Sequence, residues 1–472
     1  MCMAGGVSGR PAAPGLPVDA QGAAAGDAGS NGHPLFRDFI GVNGHFAFRP
    51  ALYRPVARLV RNYHNLNWDV DRPGDTITLP VCVNRVDWKQ DVYGPWREGG
   101  FETDICVQFS GFEAPRADTA SVWTGQEAWL YEYGRRLARY FGPSGNERLC
   151  TSVEIGNEPG NRFDPTVYRS VFTGMARGIR AGDPAMTILT PTVHARPADA
   201  YSQSLDSFYG DADVLPLYDV INVHTYAVLP TPGEHPSPWN RTFPEDTASV
   251  YLKVVDEVIA WRDRHAPDKR VWVTEFGYDA ATPGAMERRE GWARQLDWQG
   301  VTDLQQAQYL VRSLLVLAGR DVERAYIYYF DDNDEAGIHA ASGLTRHFRP
   351  KPAYWAVRQA AALLGDYRME RVVTCRDEGT GRPMYVYEFV HGDRPAERAW
   401  VVWSPTGAPT HRKEGYCPVV FTAELGELPG RLARVEAMAA DSLSPPVPQW
   451  TRAGRRAIRL EVTESPVYLF FR

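Results

Sequence analysis

The chain has 472 residues and a formal net charge of −7. Its acidic and basic residues are interspersed, which excludes the basic footprint of a nucleic-acid binder and the charge runs of a membrane-surface protein. The length calls for a large unit with a smaller companion, and the 14 tryptophans supply both core and flat apolar faces of the kind on which sugars stack.

Residues 1–33 are rich in Ala, Gly and Pro, without a continuous apolar run. They predict a disordered head with no recognisable signal peptide, and the chain shows no membrane span. From residue 39 onward, short runs rich in Val, Ile and Phe alternate with longer amphipathic stretches, the rhythm of βα units. The strands are expected at Phe39 to Phe46, Val60 to Trp68, Thr103 to Phe109, Thr151 to Gly156, Met186 to Val193, Asp219 to His224, Arg270 to Glu275 and Arg324 to Phe330. Helical patterns fall at Gln126 to Tyr140, Thr166 to Ala181, Ala248 to His265, Leu304 to Leu317 and Pro352 to Leu364. Eight such units, with no glycine-rich phosphate loop after the first, predict a (β/α)8 TIM barrel over 34–365 in the α/β class. After Asp366 the period changes to two, with strands expected at Tyr385 to Val390, Ala399 to Ser404, Val419 to Glu424, Arg434 to Ala439, Ala457 to Val462 and Val467 to Phe471. A C-terminal antiparallel β-sandwich over 366–472 follows. The six cysteines lack the paired spacing of zinc or redox motifs, and Cys106 and Cys150, in apolar strands, are expected to be free buried thiols.

Two motifs carry chemistry. Glu154-Ile155-Gly156-Asn157-Glu158-Pro159 ends the fourth strand, and Val271-Trp272-Val273-Thr274-Glu275-Phe276-Gly277 ends the seventh. Carboxylates at the C-terminal ends of barrel strands stand where such barrels keep catalytic groups, and glycosidic-bond hydrolysis needs two of them. These residues, in this setting, resemble the clan of retaining glycosidases built on (β/α)8 barrels. The chain is most similar to family 39, the β-xylosidase and iduronidase group, with families 5 and 86 as neighbours. The resemblance covers roughly residues 39–365 and implies Glu158 as general acid/base, Glu275 as nucleophile and Asn157 as a donor to the sugar 2-hydroxyl. It also implies a tyrosine after strand six that bonds the nucleophile, here Tyr226, and an arginine on strand two, here Arg61.

Alternation aims His224 and Tyr226 the same way. His64 on strand two, and Asn43 and His45 at the end of strand one, are candidate substrate contacts. Strand eight lacks the tryptophan that floors the sugar subsite in the clan, so Phe330, Tyr329 or Trp298 is expected to take that place. Loops 228–244 and 282–299, the latter with Trp292, are expected to wall a pocket or short groove. The cluster Asp331-Asp332-Asn333-Asp334 reads as hydroxyl-binding or loop structure, with a calcium site as the alternative, although its spacing does not match an EF-hand. The absence of a Gly-x-Ser-x-Gly elbow argues against an esterase and that of a His-rich ligand set against a metal-dependent hydrolase; no metal or cofactor is expected. The expected partner is an oligo- or polysaccharide; the alternative is a carbohydrate-binding pseudo-glycosidase without turnover.

Overall fold

The computed structural model describes residues 32–44, 49–81, 86–109, 122–159, 163–194, 205–229, 240–376, 382–442 and 445–472. The expected disordered head lies outside them except for Gly32 and His33. Eight parallel strands close into a barrel: β1 (Ile40–Asn43), β2 (Leu59–Asn65), β3 (Glu102–Gln108), β4 (Ser152–Ile155), β5 (Thr187–Leu189), β6 (Val220–His224), β7 (Arg270–Phe276) and β8 (Arg324–Ile327). Each pairs with the next, Leu189 of β5 meets Val220 of β6, and β8 returns to β1. Runs such as Val-Ile-Asn-Val-His in β6 are buried throughout, as strands covered on both faces must be.

The helices α1 (Glu127–Phe141), α2 (Pro165–Gly182), α3 (Tyr251–His265), α4 (Asp303–Ala318) and α5 (Pro352–Leu364) begin within a few residues of the expected positions. Local chemistry sets these starts. Asp164 accepts from the amides of Thr166 and Val167 ahead of Pro165, and Thr302 with Gln305 forms a capping box on α4.

The C-terminal strands β9 (Tyr367–Arg376), β10 (Met384–His391), β11 (Arg398–Trp403), β12 (Phe421–Leu425), β13 (Leu432–Ala437), β14 (Trp450–Gly454), β15 (Ala457–Val462) and β16 (Val467–Phe471) make two antiparallel sheets. Their orders are β9-β10-β11-β16-β13 and β12-β15-β14. Val386, Trp400, Val402 and Leu469 of the first sheet pack on Leu425, Ile458 and Leu460 of the second. Alternation turns Phe389, Val401, Trp403 and Tyr468 to the opposite face, where they join the core of the barrel. Across that seam the buried Glu245 accepts from Arg312 Nε at 2.9 Å and from Trp403 Nε1 at 2.7 Å.

In the described part of the sandwich, two strands went unforeseen. Register shifts at Met369/Arg371 and Val372/Thr374 break the period of two in β9, and β14 is exposed at all five residues, so neither carries an alternating apolar signal. Strand β2 stops at Asn65 and gives way to a helical turn, Leu66–Asp69, which removes Trp68 from the strand.

Candidate active site

The chain leaves β4 through Gly156, whose φ of 87° is open to glycine. A Cβ there would lie 2.9 Å from the hydroxyl of Tyr168, which donates to the Ile155 carbonyl. The turn carries Asn157 and Glu158 over the barrel mouth. The Glu158 side chain is 39% exposed, and its Oε1 lies 2.8 Å from His224 Nδ1.

Glu275, in contrast, is only 6% exposed. A register shift against β6 between Val223 and His224 sets Glu275 opposite His224. Three donors converge on its carboxylate: Arg61 Nη1 at 2.7 Å and Tyr63 Oη at 2.6 Å on Oε1, and Tyr226 Oη at 2.9 Å on Oε2. Burial alone would raise its pKa, but the Arg61 guanidinium and the Tyr63 hydroxyl pull against it, and it lies below the ordinary carboxylate value. Tyr63→Phe removes one of these bonds. The acid limb of the kcat/KM profile is therefore expected to move to higher pH, with a loss of roughly tenfold or more in rate, the scale of a hydrogen bond to a charged group. A pH-rate series on wild type and variant checks this; an unmoved limb contradicts it.

Arg61 is wholly buried and spends its guanidinium inside the barrel. It bonds Glu154 through Nε at 2.7 Å and Nη2 at 3.0 Å, Asn43 Oδ1 through Nη1 at 2.8 Å, and Asn157 Oδ1 through Nη2 at 2.7 Å. The buried Cys106 thiol adds a contact at 3.1 Å from Nη2. Burial pushes Glu154 up to about 8 against the pull of Arg61. Neither Glu154 nor Tyr63 was singled out from the sequence, although Tyr63 stands two residues from Arg61 and alternation aims both inward.

A chain of polar side chains fixes the imidazole between the two glutamates. His224 Nε2 lies 2.9 Å from Thr274 Oγ1; Thr274 donates its hydroxyl to Asn222 Oδ1, and Asn222 Nδ2 donates to Thr192 Oγ1 at 3.0 Å. With its only proton given to Asn222, Thr274 accepts from His224, so Nε2 carries the hydrogen. Arg61 Nη2 is 3.5 Å from that nitrogen, and the nearest Glu154 and Glu275 contacts of the ring are 3.9 Å and 3.6 Å. Burial lowers the pKa of His224 and keeps the ring neutral, leaving Nδ1 as an acceptor toward Glu158. Thr274→Val removes the anchor for Nε2–H. Its expected effect is a selective loss, roughly tenfold, on glycosides with poor leaving groups, a fraction of the about 10²–10⁴ that general acid catalysis supplies. Comparing poor and activated leaving groups measures it, and Thr274→Ser should restore the ratio.

Several expected contacts need correction. His64 points away from the barrel interior: it stacks on Trp88 at 3.9 Å, and its nitrogens meet Tyr93 Oη at 2.8 Å and Asp69 at 2.6 Å. The period of two decides this, since Arg61 and Tyr63 take the inner face. Asn43 is also no substrate contact, because its amide donates to the Thr274 carbonyl at 2.9 Å while its oxygen clamps Arg61. Phe330 is buried in a stack with Tyr53 at 3.4 Å between ring centroids, and Trp298 is fully buried. The aromatic groups flanking Tyr226 are instead Tyr328, at 6.4 Å, and His339, at 4.4 Å, while Trp292 is the exposed ring of the 282–299 loop. Tyr329 donates to the Ala340 carbonyl at 3.0 Å. His45, and residues 230–239 of the proline-rich loop, lie outside the described residues.

The acidic cluster after β8 ties loops together. Asp331 accepts from Thr345 and the Phe348 amide, Asp332 from Gly343 and Lys351, and Asp334 from Thr282. Glu158, His224 and Glu275 each bring one donor atom to within 4.8 Å of the others. That set suits a cation poorly, because the Arg61 guanidinium already stands against Glu275. Among the described residues, no helix is long and apolar enough to cross a membrane.

Known structures share the fold of this chain. A family 39 glycoside hydrolase from the gut symbiont Bacteroides cellulosilyticus WH2 aligns with a TM-score of 0.62 at 15% identity, covering 93% of this chain and 82% of that one. The GH39 enzyme of Xanthomonas axonopodis pv. citri aligns at 0.57 and 16% identity, over 93% and 95% of the two chains. A GH30 endoxylanase from Clostridium papyrosolvens C71 aligns at 0.53 and 11% identity, over 93% and 97%. No protein-family model and no curated protein matches the sequence.

Proposed function

We propose that the chain is a retaining glycoside hydrolase that cleaves O-glycosidic bonds of a plant, algal or microbial oligo- or polysaccharide by double displacement. One observation carries this reading: donor atoms of Glu158 and Glu275 lie within 4.8 Å of each other in opposite environments. One carboxyl is exposed beside a neutral imidazole and suits a proton donor. The other is buried against three donors and suits an anionic nucleophile. This proximity fits a retaining pair, whose carboxyl groups stand about 5–5.5 Å apart; an inverting pair needs about 6.5–9.5 Å for a water.

In the first step Glu158 gives its proton to the leaving oxygen as Glu275 attacks the anomeric carbon. Arg61, Tyr63 and Tyr226 orient the attacking carboxylate. As the glycosyl ester forms, the negative charge of Glu275 disappears, and ionised Glu158 then takes a proton from the water that releases the sugar. Asn157, its oxygen held by Arg61, would present its amide hydrogens to the sugar 2-hydroxyl. The similar folds of a family 39 glycoside hydrolase and a GH30 endoxylanase support a carbohydrate substrate. A pseudo-glycosidase has no need for both carboxylates within reach of one sugar. A panel of aryl glycosides and polysaccharides, with the anomer of the first product read by NMR, tests the proposal: retention supports it, and inversion or the absence of all hydrolysis overturns it.

A further inference from the structure

The C-terminal sandwich has a second concave site of different chemistry. A cavity of about 620 Å³ opens between the start of β13 and the β14–β15 hairpin, lined by Leu428, Arg431, Arg452, Arg455, Arg456 and Ile458, with no acidic residue in its wall. Four arginines therefore line one hollow in a chain of net charge −7.

Other arginines of the sandwich are ion-paired. Arg371 and Arg398 reach Glu388 at 3.1 Å and 2.5 Å, Arg394 reaches Glu397 at 2.8 Å, Arg434 reaches Glu436 at 3.1 Å, and Arg459 reaches Glu424 at 3.3 Å. Among the described residues, none of the four cleft arginines forms an ion pair with a carboxylate. Gathering like charges without a counter-charge is unfavourable, and a bound anion relieves it. The frame of the cleft is held by the protein itself. Arg456 donates from Nη2 to the Leu428 carbonyl at 2.8 Å, and the backbones of Arg431 and Arg472 exchange hydrogen bonds of 2.9 Å and 3.1 Å. Arg431, Arg452 and Arg455 are exposed around it.

We infer that this cleft binds the anionic groups of a carboxylated or sulfated polysaccharide, holding the polymer to the sandwich apart from the catalytic carboxylates. A planar guanidinium presents paired donors that match a carboxylate or sulfate, and several in one hollow suit a chain with repeated charges. The choice of a glycan as the polymer rests on the carbohydrate reading of the barrel; the anionic chemistry rests on the cleft alone.

The test is equilibrium binding to the full chain at low and physiological salt. The probes are an oligogalacturonate, a dextran sulfate, a neutral xylo-oligosaccharide and a single-stranded oligodeoxynucleotide. Salt-sensitive binding of one or both anionic glycans, with the neutral oligosaccharide much weaker, is expected; which of the two binds distinguishes carboxylate from sulfate. The triple variant Arg431→Gln/Arg452→Gln/Arg455→Gln, checked for folding by thermal unfolding, should lose about tenfold or more in affinity, and Arg455→Lys should fall between. Binding unchanged in the triple variant, anionic glycans no better than the neutral one, or preference for the oligodeoxynucleotide overturns the inference. Because no turnover is read, its failure leaves the catalytic proposal standing. Conversely, loss of the catalytic proposal would leave the binding result intact.

Discussion

Glu275→Ala is expected to abolish hydrolysis of every substrate the enzyme accepts, by roughly five orders of magnitude or more, the scale on which loss of a covalent nucleophile acts. The size follows from the site. Arg61, Tyr63 and Tyr226 all direct donors at this one carboxylate, so truncating it removes the attacking atom and leaves a buried guanidinium facing an empty space. The variant is accordingly also expected to be less stable, because Arg61 keeps only Glu154 to balance it. Steady-state rates on the best aryl glycoside measure the first effect and thermal unfolding the second. Substantial residual hydrolysis by Glu275→Ala would remove Glu275 from the mechanism.

Glu158→Ala is expected to behave differently, because an acid matters in proportion to how much the leaving group needs a proton. With an alkyl or sugar leaving group the loss should fall near the upper end of the about 10²–10⁴ range for general acid catalysis. With a strongly activated aryl leaving group the first step needs little help. The second step still lacks its base, so a burst followed by slow turnover should appear, and a small anionic nucleophile such as azide should speed the release. The geometry predicts this division, since Glu158 is the more exposed of the two carboxyls and is bonded to a neutral imidazole. Equal losses across leaving groups would mean that Glu158 is structural.

The barrel was legible because its strands are buried on both faces and alternate with amphipathic helices, two of which start at side-chain caps. The two glutamates stand out in the sequence because one follows the fourth strand and the other lies near the end of the seventh, and the fold brings their donor atoms within 4.8 Å. What surrounds them was harder to read. Arg61 and His64 stand three residues apart on β2, so the pleat sends His64 among Trp88, Tyr93 and Tyr133 and turns Tyr63 toward Glu275. Glu154 sits inside the first motif and alternation aims it inward, yet its partner Arg61 is 93 residues away in sequence. The shift of β7 against β6 that sets Glu275 opposite His224 leaves no mark in composition. His339 comes from an irregular loop, at a φ of 60°, where no period exists to follow. Phe330 and Trp298 were chosen for their rings, but a ring serves a sugar only where it is exposed, and both are core.

The central claim is that Glu275 becomes covalently bonded to the sugar. It is tested most directly by incubating the enzyme with the 2-deoxy-2-fluoro glycosyl fluoride of its preferred sugar and mapping the adduct by peptide mass spectrometry. The account predicts one added sugar, on the peptide containing Glu275, and none in Glu275→Ala. A label on another carboxylate, or an enzyme that turns over its substrate with inversion and forms no adduct, would contradict it.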